Sequence, residues 1–124
     1  MKGEFEMEQK GLGFEVMHIG INCKDAGEAA KTAEVLKNIF GFESSETPVS
    51  FFSTKKIEIM KKNGAGERGH IAIGTNDIHA AIKYLEGRGY GFNQDSAAYF
   101  PDGRLKLIYL KNEIAGFALH LLQK

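Results

Sequence analysis

The chain has one cysteine, no tryptophan and two prolines among its 124 residues. A single thiol cannot close an intrachain disulfide, which fits a reducing compartment. Cys23 follows Asn22 at an expected strand end and reads as an incidental half-buried thiol. Neither sign of charge is in excess, because Lys+Arg and Asp+Glu number 16 each. That argues against nucleic acid or an anionic membrane surface as a partner, since both reward a basic excess. No apolar run approaches the ~20 residues of a membrane span. The N-terminus shows no signal-peptide core, so a cytoplasmic location is expected. There is no phosphate-binding glycine loop, no nucleophile elbow and no CxxC pair. What is present is ordinary globular composition, 43% hydrophobic and 26% charged, in a chain long enough for one domain with a core.

The chain also repeats itself. His18-Ile19-Gly20-Ile21-Asn22 precedes a helix-patterned segment that ends in Phe40-Gly41-Phe42, and His70-Ile71-Ala72-Ile73-Gly74 precedes one that ends in Tyr90-Gly91-Phe92. The two histidines are 52 residues apart. Each half closes on a strand-like run with one ionisable residue among apolar ones, Glu58 in Ile57–Met60 and His120 in Leu119–Leu122. Four potential metal ligands therefore stand at matching places of a repeated unit.

Residues 1–13 are polar and carry three glycines, so they read as a flexible lead-in, although Phe5 and Met7 are able to dock. A strand over Phe14–Asn22 has apolar residues on both faces and needs cover on both sides. Asp25 with Glu28 forms a capping box for a helix with Ala29, Ala33, Leu36, Ile39 and Phe40 on its stripe, and Gly41 ends it. Short strands follow at 49–53 and 57–61, and Asn63–Gly66 connects the halves. The second half repeats the plan. A strand at 68–74 leads to a cap at Asn76 or Asp77 and a helix with Ile78, Ala81, Ile82 and Leu85 inward; strands follow near 91–94, 104–110 and 117–122. His79 should face solvent. The expected order is βαβββ twice, an α+β pattern, with module 1 at about 14–62 and module 2 at about 68–123 of a single domain spanning 14–124.

This arrangement resembles the vicinal oxygen chelate superfamily, the group of glyoxalase I, bleomycin-binding proteins and extradiol dioxygenases. The resemblance implies two βαβββ modules forming a curved mixed sheet around a cup, a divalent metal on its floor, and His18, Glu58, His70 and His120 as ligands. It also implies a homodimer. One departure is Leu119-His120-Leu121, where glyoxalase I usually has Ile-Glu-Leu; a carboxylate at that place is tied to proton transfer. Gly69–Asn76, Leu107–Lys111 and Gly116–Lys124 further resemble a small glyoxalase-like domain fused to 2-keto-3-deoxy-6-phosphogluconate aldolase in some Gram-positive bacteria. Aldolase activity does not follow, since that reaction belongs to a barrel this chain has no room for.

Three imidazoles and a carboxylate suit Zn, Ni, Co, Mn or Fe(II). Glu58 is the candidate catalytic residue, as a ligand or as a base when displaced. Strand parity aims Asn22 into the cup as a substrate contact. Arg104 and Lys106 would hold a carboxylate or phosphate if their face is inward, although the alternation of Leu105, Leu107 and Tyr109 favours the outer face. Two function classes follow. One is a metal-dependent lyase or isomerase acting on a small oxygen-chelating substrate such as a 2-keto or sugar acid. The other is a metal-free small-molecule-binding module linked to sugar-acid metabolism.

Overall fold

The structure, a computed structural model, describes residues 9–62 and 64–124. Its elements run β1 (Glu15–Asn22), α1 (Ala26–Phe40), β2 (Ser44–Glu46), β3 (Ser50–Ser53), β4 (Ile57–Met60), β5 (Gly69–Thr75), α2 (Ile78–Gly87), β6 (Phe92–Tyr99), β7 (Leu105–Leu110) and β8 (Phe117–Gln123). This is βαβββ twice, as the repeat predicts. The strands form one sheet in the order β2-β3-β4-β1-β5-β8-β7-β6.

Each module places its last strand parallel to its first, β4 beside β1 and β8 beside β5, and the modules join where β1 and β5 run antiparallel. The repeat is visible in the register. Ile19 pairs with Ile71, and the flanking pairs His18–Ala72 and Gly20–His70 are mirror equivalents, so a pseudo-twofold axis passes through the Ile19–Ile71 pair. The same axis relates Gly20–Glu58 in module 1 to Ala72–His120 in module 2.

Local chemistry accounts for the helices. Asp25 caps α1 by accepting from Glu28 N at 2.8 Å, and Glu28 Oε1 accepts from Lys24 N, one residue before the Asp25 N–H that a capping box uses. Gly41, at φ 75°, takes the left-handed conformation that ends the helix, and its N–H bonds Lys37 O. Ala29 and Ala33 bury against Cys23 and Ile59 in one core cluster. Ile39 and Phe40, expected on the buried stripe, are exposed, and Phe40 stacks on Phe42. Asp77 caps α2 by accepting from Ala80 N, and Ile78 and Ala81 anchor the second core with Phe92, Ile108 and Leu121. His79 is exposed, as expected. Among the described residues no helix is long and apolar enough to cross a membrane.

Three details differ from the sequence reading. Of the expected lead-in, residues 1–8 with Phe5 and Met7 lie outside the described residues. From Gln9 onward, however, the chain is part of the fold: Leu12 is buried in the module 2 core, and its carbonyl accepts from Thr75 Oγ1 and Asn76 N. The βαβββ order calls for a strand between α1 and β3 that the sequence does not locate; it is β2, wholly polar and paired with β3 at the sheet edge. Strand β6 extends to Tyr99 rather than stopping near Gln94, with a bulge opposite β7 that breaks the apolar alternation. Of the connector between the modules, Asn63 lies outside the described residues.

Candidate metal centre

Strand parity brings four predicted side chains together on one face of the sheet. His18 comes from β1, Glu58 from β4, His70 from β5 and His120 from β8, so each module supplies two. His18 Nε2 lies 3.2 Å from His70 Nε2. Glu58 Oε1 lies 3.1 Å from His70 Nε2 and 3.4 Å from His18 Nε2. One ring nitrogen from each of His18, His70 and His120 falls within 4.8 Å of the others.

Closeness of this kind needs something between the lone pairs, either an imidazole N–H proton or a cation. Imidazole nitrogens and a carboxylate oxygen present lone pairs, and only protons or a cation can sit among them. The spacing suits a cation. Metal–nitrogen bonds of ~2.0–2.1 Å put adjacent ligands about 2.9 Å apart in an octahedron and about 3.4 Å apart in a tetrahedron. The donor set, three imidazoles and one carboxylate, is that of a borderline divalent transition ion. The residues present therefore fit the group.

The site is asymmetric in burial. His70 and His120 are 3% and 2% exposed, while the His18 and Glu58 side chains are 13% and 14% exposed. His70 reaches its place because Gly20 has no side chain: a Cβ there would lie 2.0 Å from His70 Cε1. His120 Nδ1 lies 3.2 Å from Leu121 O, which leaves Nε2 for the cluster, the usual arrangement of a ligand histidine. His70 departs from it, because its Nδ1 is buried without a partner among the described residues.

Electrostatics set the charge states. Burial pushes the Glu58 carboxyl up, but hydrogen bonds from His18, His70 and Ser50 outweigh that and hold it well below the usual carboxylate range. Burial pushes the His120 imidazole down to about 4, and its bond to the Leu121 carbonyl offsets only part of this. At neutral pH, then, Glu58 is an anion and His120 an uncharged lone-pair donor.

Two aromatic rings wall the cluster. The Phe52 ring meets His18 edge-on at 5.4 Å between centroids, and the Tyr109 ring lies 4.9 Å from that of His120. Phe52 pairs with Glu58 and Tyr109 with His120, so the rings are pseudo-twofold mates. Burial, then the Glu58 charge, pushes the Tyr109 phenol up, and Tyr109 is a protonated donor at neutral pH. The largest grooves lie elsewhere. One of 610 Å³ runs between Leu12 and Tyr84, one of 530 Å³ beside Lys10 and Phe14, and one of 520 Å³ between Ala26 and Met60.

The two predicted substrate contacts are placed differently. Asn22 is committed to the fold: its Nδ2 donates to Gly66 O at 2.9 Å, and its Oδ1 accepts from Gly64 N at 3.0 Å. It clamps the connector between the modules, which takes one donor and one acceptor of its amide. Arg104 is exposed, ion-paired to Asp102 at 2.8 Å and stacked over Phe100, within its own turn and not joined to the four. Ser50, which the sequence reading passed over, is buried and donates to Glu58 Oε2 at 2.7 Å. A serine in an apolar strand gives no signal of its own; only the β3–β4 register places it beside Glu58.

No protein-family model matches the chain, and no curated protein does. Solved structures do. A Streptomyces coelicolor methylmalonyl-CoA epimerase variant in complex with 2-nitronate-propionyl-CoA aligns at TM-score 0.65 and 20% identity, over 89% of this chain and 94% of that chain. A methylmalonyl-CoA epimerase from Mycobacterium tuberculosis aligns at TM-score 0.63 and 14% identity, over 87% and 86%. A hypothetical protein from Bacillus halodurans aligns at TM-score 0.62 and 18% identity, over 90% and 95%. Identities this low establish shared architecture. The chain has the glyoxalase/bleomycin-resistance-type fold of these epimerases.

Proposed function

We propose that the protein is a metal-dependent enzyme of isomerase or lyase type, acting on a small acid or thioester that offers two neighbouring oxygens. The observation that carries this reading is the convergence of His18 Nε2, His70 Nε2 and Glu58 Oε1 within 3.1–3.4 Å, from three strands of two modules. When bound, a divalent ion would supply Lewis acidity to those oxygens and stabilise the charge that develops on them. The residues that would hold it are His18, Glu58, His70 and His120.

Glu58 is a ligand in this reading and not the general base. A base works best with a pKa near the working pH; a cation at Oε1 and the Ser50 hydroxyl at Oε2 would both favour the ionised carboxylate and hold Glu58 below that range. His120 is likewise a donor of electrons and not a store of protons. One carboxylate and three neutral imidazoles leave a divalent site with net positive charge, which suits an anionic substrate. Tyr109 keeps its proton and stands beside His120, ready to donate to a substrate oxygen. Phe52 shapes the opposite wall. The Streptomyces coelicolor epimerase variant is in complex with 2-nitronate-propionyl-CoA, and the aldolase-linked resemblance points to 2-keto and sugar acids; both classes offer the paired oxygens the site asks for.

The test has two parts. Protein purified without affinity tag or chelator should contain close to one divalent ion per chain. Incubated in D₂O with methylmalonyl-CoA or simple 2-keto acids, it should exchange the hydrogen beside the carbonyl, read by NMR. Metal-free protein that retains an organic molecule would favour the binding-module reading instead.

We also assign the protein as a homodimer. Val16, Ile19 and Ile21 are exposed on the helix-side face of β1, beyond the reach of either helix. A second copy is the simplest cover for this stripe. Ile19→Lys should convert the dimer to a monomer in light scattering, and a wild-type monomer at micromolar concentration would overturn the assignment.

A further inference from the structure

The carboxylate of Glu58 has two oxygens, and only Oε1 faces the imidazoles of His18 and His70. Oε2 accepts a hydrogen bond from Ser50 Oγ at 2.7 Å. Ser50 is fully buried on β3, where its register partner is Met60, so it sits diagonally across from Glu58 on the same face of the sheet. A serine has one hydroxyl proton, and this bond uses it. Its oxygen is then free to accept, and Thr47 Oγ1 lies 2.9 Å away.

Thr47 is itself oriented. Its Oγ1 accepts from Ser50 N at 2.9 Å and Val49 N at 3.2 Å. With its lone pairs taken, Thr47 has its proton to give. Ser50 Oγ is the nearer acceptor, the Ser50 carbonyl at 3.2 Å the farther one. Donation therefore runs one way, from Thr47 to Ser50 to Glu58. The Thr47–Ser50 turn is a small rigid bracket whose output is one proton aimed at one carboxylate oxygen.

We infer that Ser50, oriented by Thr47, is a positioning residue that restrains Glu58 to binding a metal through a single oxygen. The inference rests on the metal reading above. By occupying Oε2, Ser50 prevents the carboxylate from closing on an ion with both oxygens, and so preserves positions that a chelating substrate needs. A ligand's hydrogen-bonding partner commonly matters to metal affinity by about 10–100-fold. A buried serine that only satisfies its own hydroxyl would have no such effect through Glu58.

Co(II) titration of the full-length, tag-free protein separates these roles, because the visible absorption of bound Co(II) reports its coordination as well as its affinity. Ser50→Ala should weaken Co(II) binding about 10-fold and change the absorption. In a Glu58→Ala background, Ser50→Ala should have no further effect. Thr47→Val should act in the same direction but more weakly, and Thr47→Ser, which keeps the hydroxyl, should bind as wild type does. Equal weakening with and without Glu58 overturns the inference, as does wild-type behaviour of Ser50→Ala. If Ser50→Ala does not fold, the Val and Ser variants of Thr47 decide the question: a loss in the first, absent in the second, supports the bracket, and any other pairing overturns it. Failure of the wild type to bind Co(II) is seen before any variant is made, and overturns the metal reading along with this one.

Discussion

Module 1 and module 2 share one skeleton and carry different chemistry at equivalent points. The first offers Glu58, ionised, partly exposed and held by the Ser50 hydroxyl. The second offers His120 at the equivalent register position, uncharged, buried and held at the Leu121 carbonyl. The first walls the site with Phe52, the second with Tyr109. Even the floor differs, Gly20 in one half and Ala72 in the other. The repeat fixes where the candidate ligands stand, and local burial and hydrogen bonding decide what charge each carries. A site at a pseudo-twofold axis is thereby made one-sided, which a substrate with two unlike ends requires.

The strongest way to break the comparison is to erase the floor difference. Gly20→Ala puts a methyl group 2.0 Å from a ring atom of His70, which is buried and has nowhere to turn. The ring must leave the cluster, and metal affinity should fall by on the order of 100-fold or more, with a lower melting temperature from overpacking. The equivalent change in module 2, Ala72→Gly, removes a methyl and should cost only about 1 kcal/mol, with the metal retained. Equal behaviour of the two variants in a metal titration would show that the halves are not inequivalent at the floor.

Removing the ligand itself is the next largest effect. A metal bound across both modules adds its binding energy to folding, about 2.7 kcal/mol when free metal is at 100 times the dissociation constant. His70→Ala should lose occupancy and stability together, and its melting temperature should respond little to added Co(II) or chelator. The wild type should rise with the one and fall with the other. A wild type indifferent to both would leave the histidines as walls of an organic-ligand pocket.

How far the sequence reveals this depends on the kind of signal. The βαβββ order, the helix caps at Asp25 and Asp77, and the positions from which His18, His70 and His120 come together were legible because each is written in local pattern or repeat. Strand β2 was not, since a polar edge strand that buries nothing has no alternation to read. Leu12 reads as lead-in because one apolar residue among glycines shows no period; its burial depends on Ile78 and Ala81 of α2 and Leu121 of β8 arriving beside it. Asn22 lies on the predicted face, yet parity gives direction and not partner, and its partner is the connector. Ser50 illustrates the general limit. Its role is a register fact between β3 and β4, and register is set by the whole sheet.

Acid sharpens the contrast between ionised and neutral partners. His120 is held to about 4 in the fold by burial, against ~6.5 in an unfolded chain. The unfolded state therefore binds the proton first. Stability associated with this group is fully present above pH ~6.5 and is lost as pH falls toward about 4, by roughly 3 kcal/mol for metal-free protein. Urea denaturation at pH 7 and at pH 4.5 should show the loss in wild type, and a smaller loss in His120→Gln, which has no imidazole to protonate. An identical pH dependence in both proteins would mean that His120 is not the buried neutral group described.

The smallest effect comes from making the modules alike. His120→Glu restores the carboxylate that the family resemblance leads one to expect and gives both halves an acidic ligand. The new side chain enters a position 2% exposed, where the Leu121 carbonyl is the hydrogen-bond partner of His120 among the described residues. Without metal, a carboxylate there either takes up a proton or stands as a buried anion, and both lower stability. With metal, the negative charge is matched, so affinity should stay within about tenfold of wild type. The signature is a difference of differences. Metal should raise the melting temperature of His120→Glu by more than it raises that of wild type, because the variant starts lower and ends near the same point. If metal moves the variant no more than the wild type, position 120 does not face the ion, and the second module contributes His70 alone.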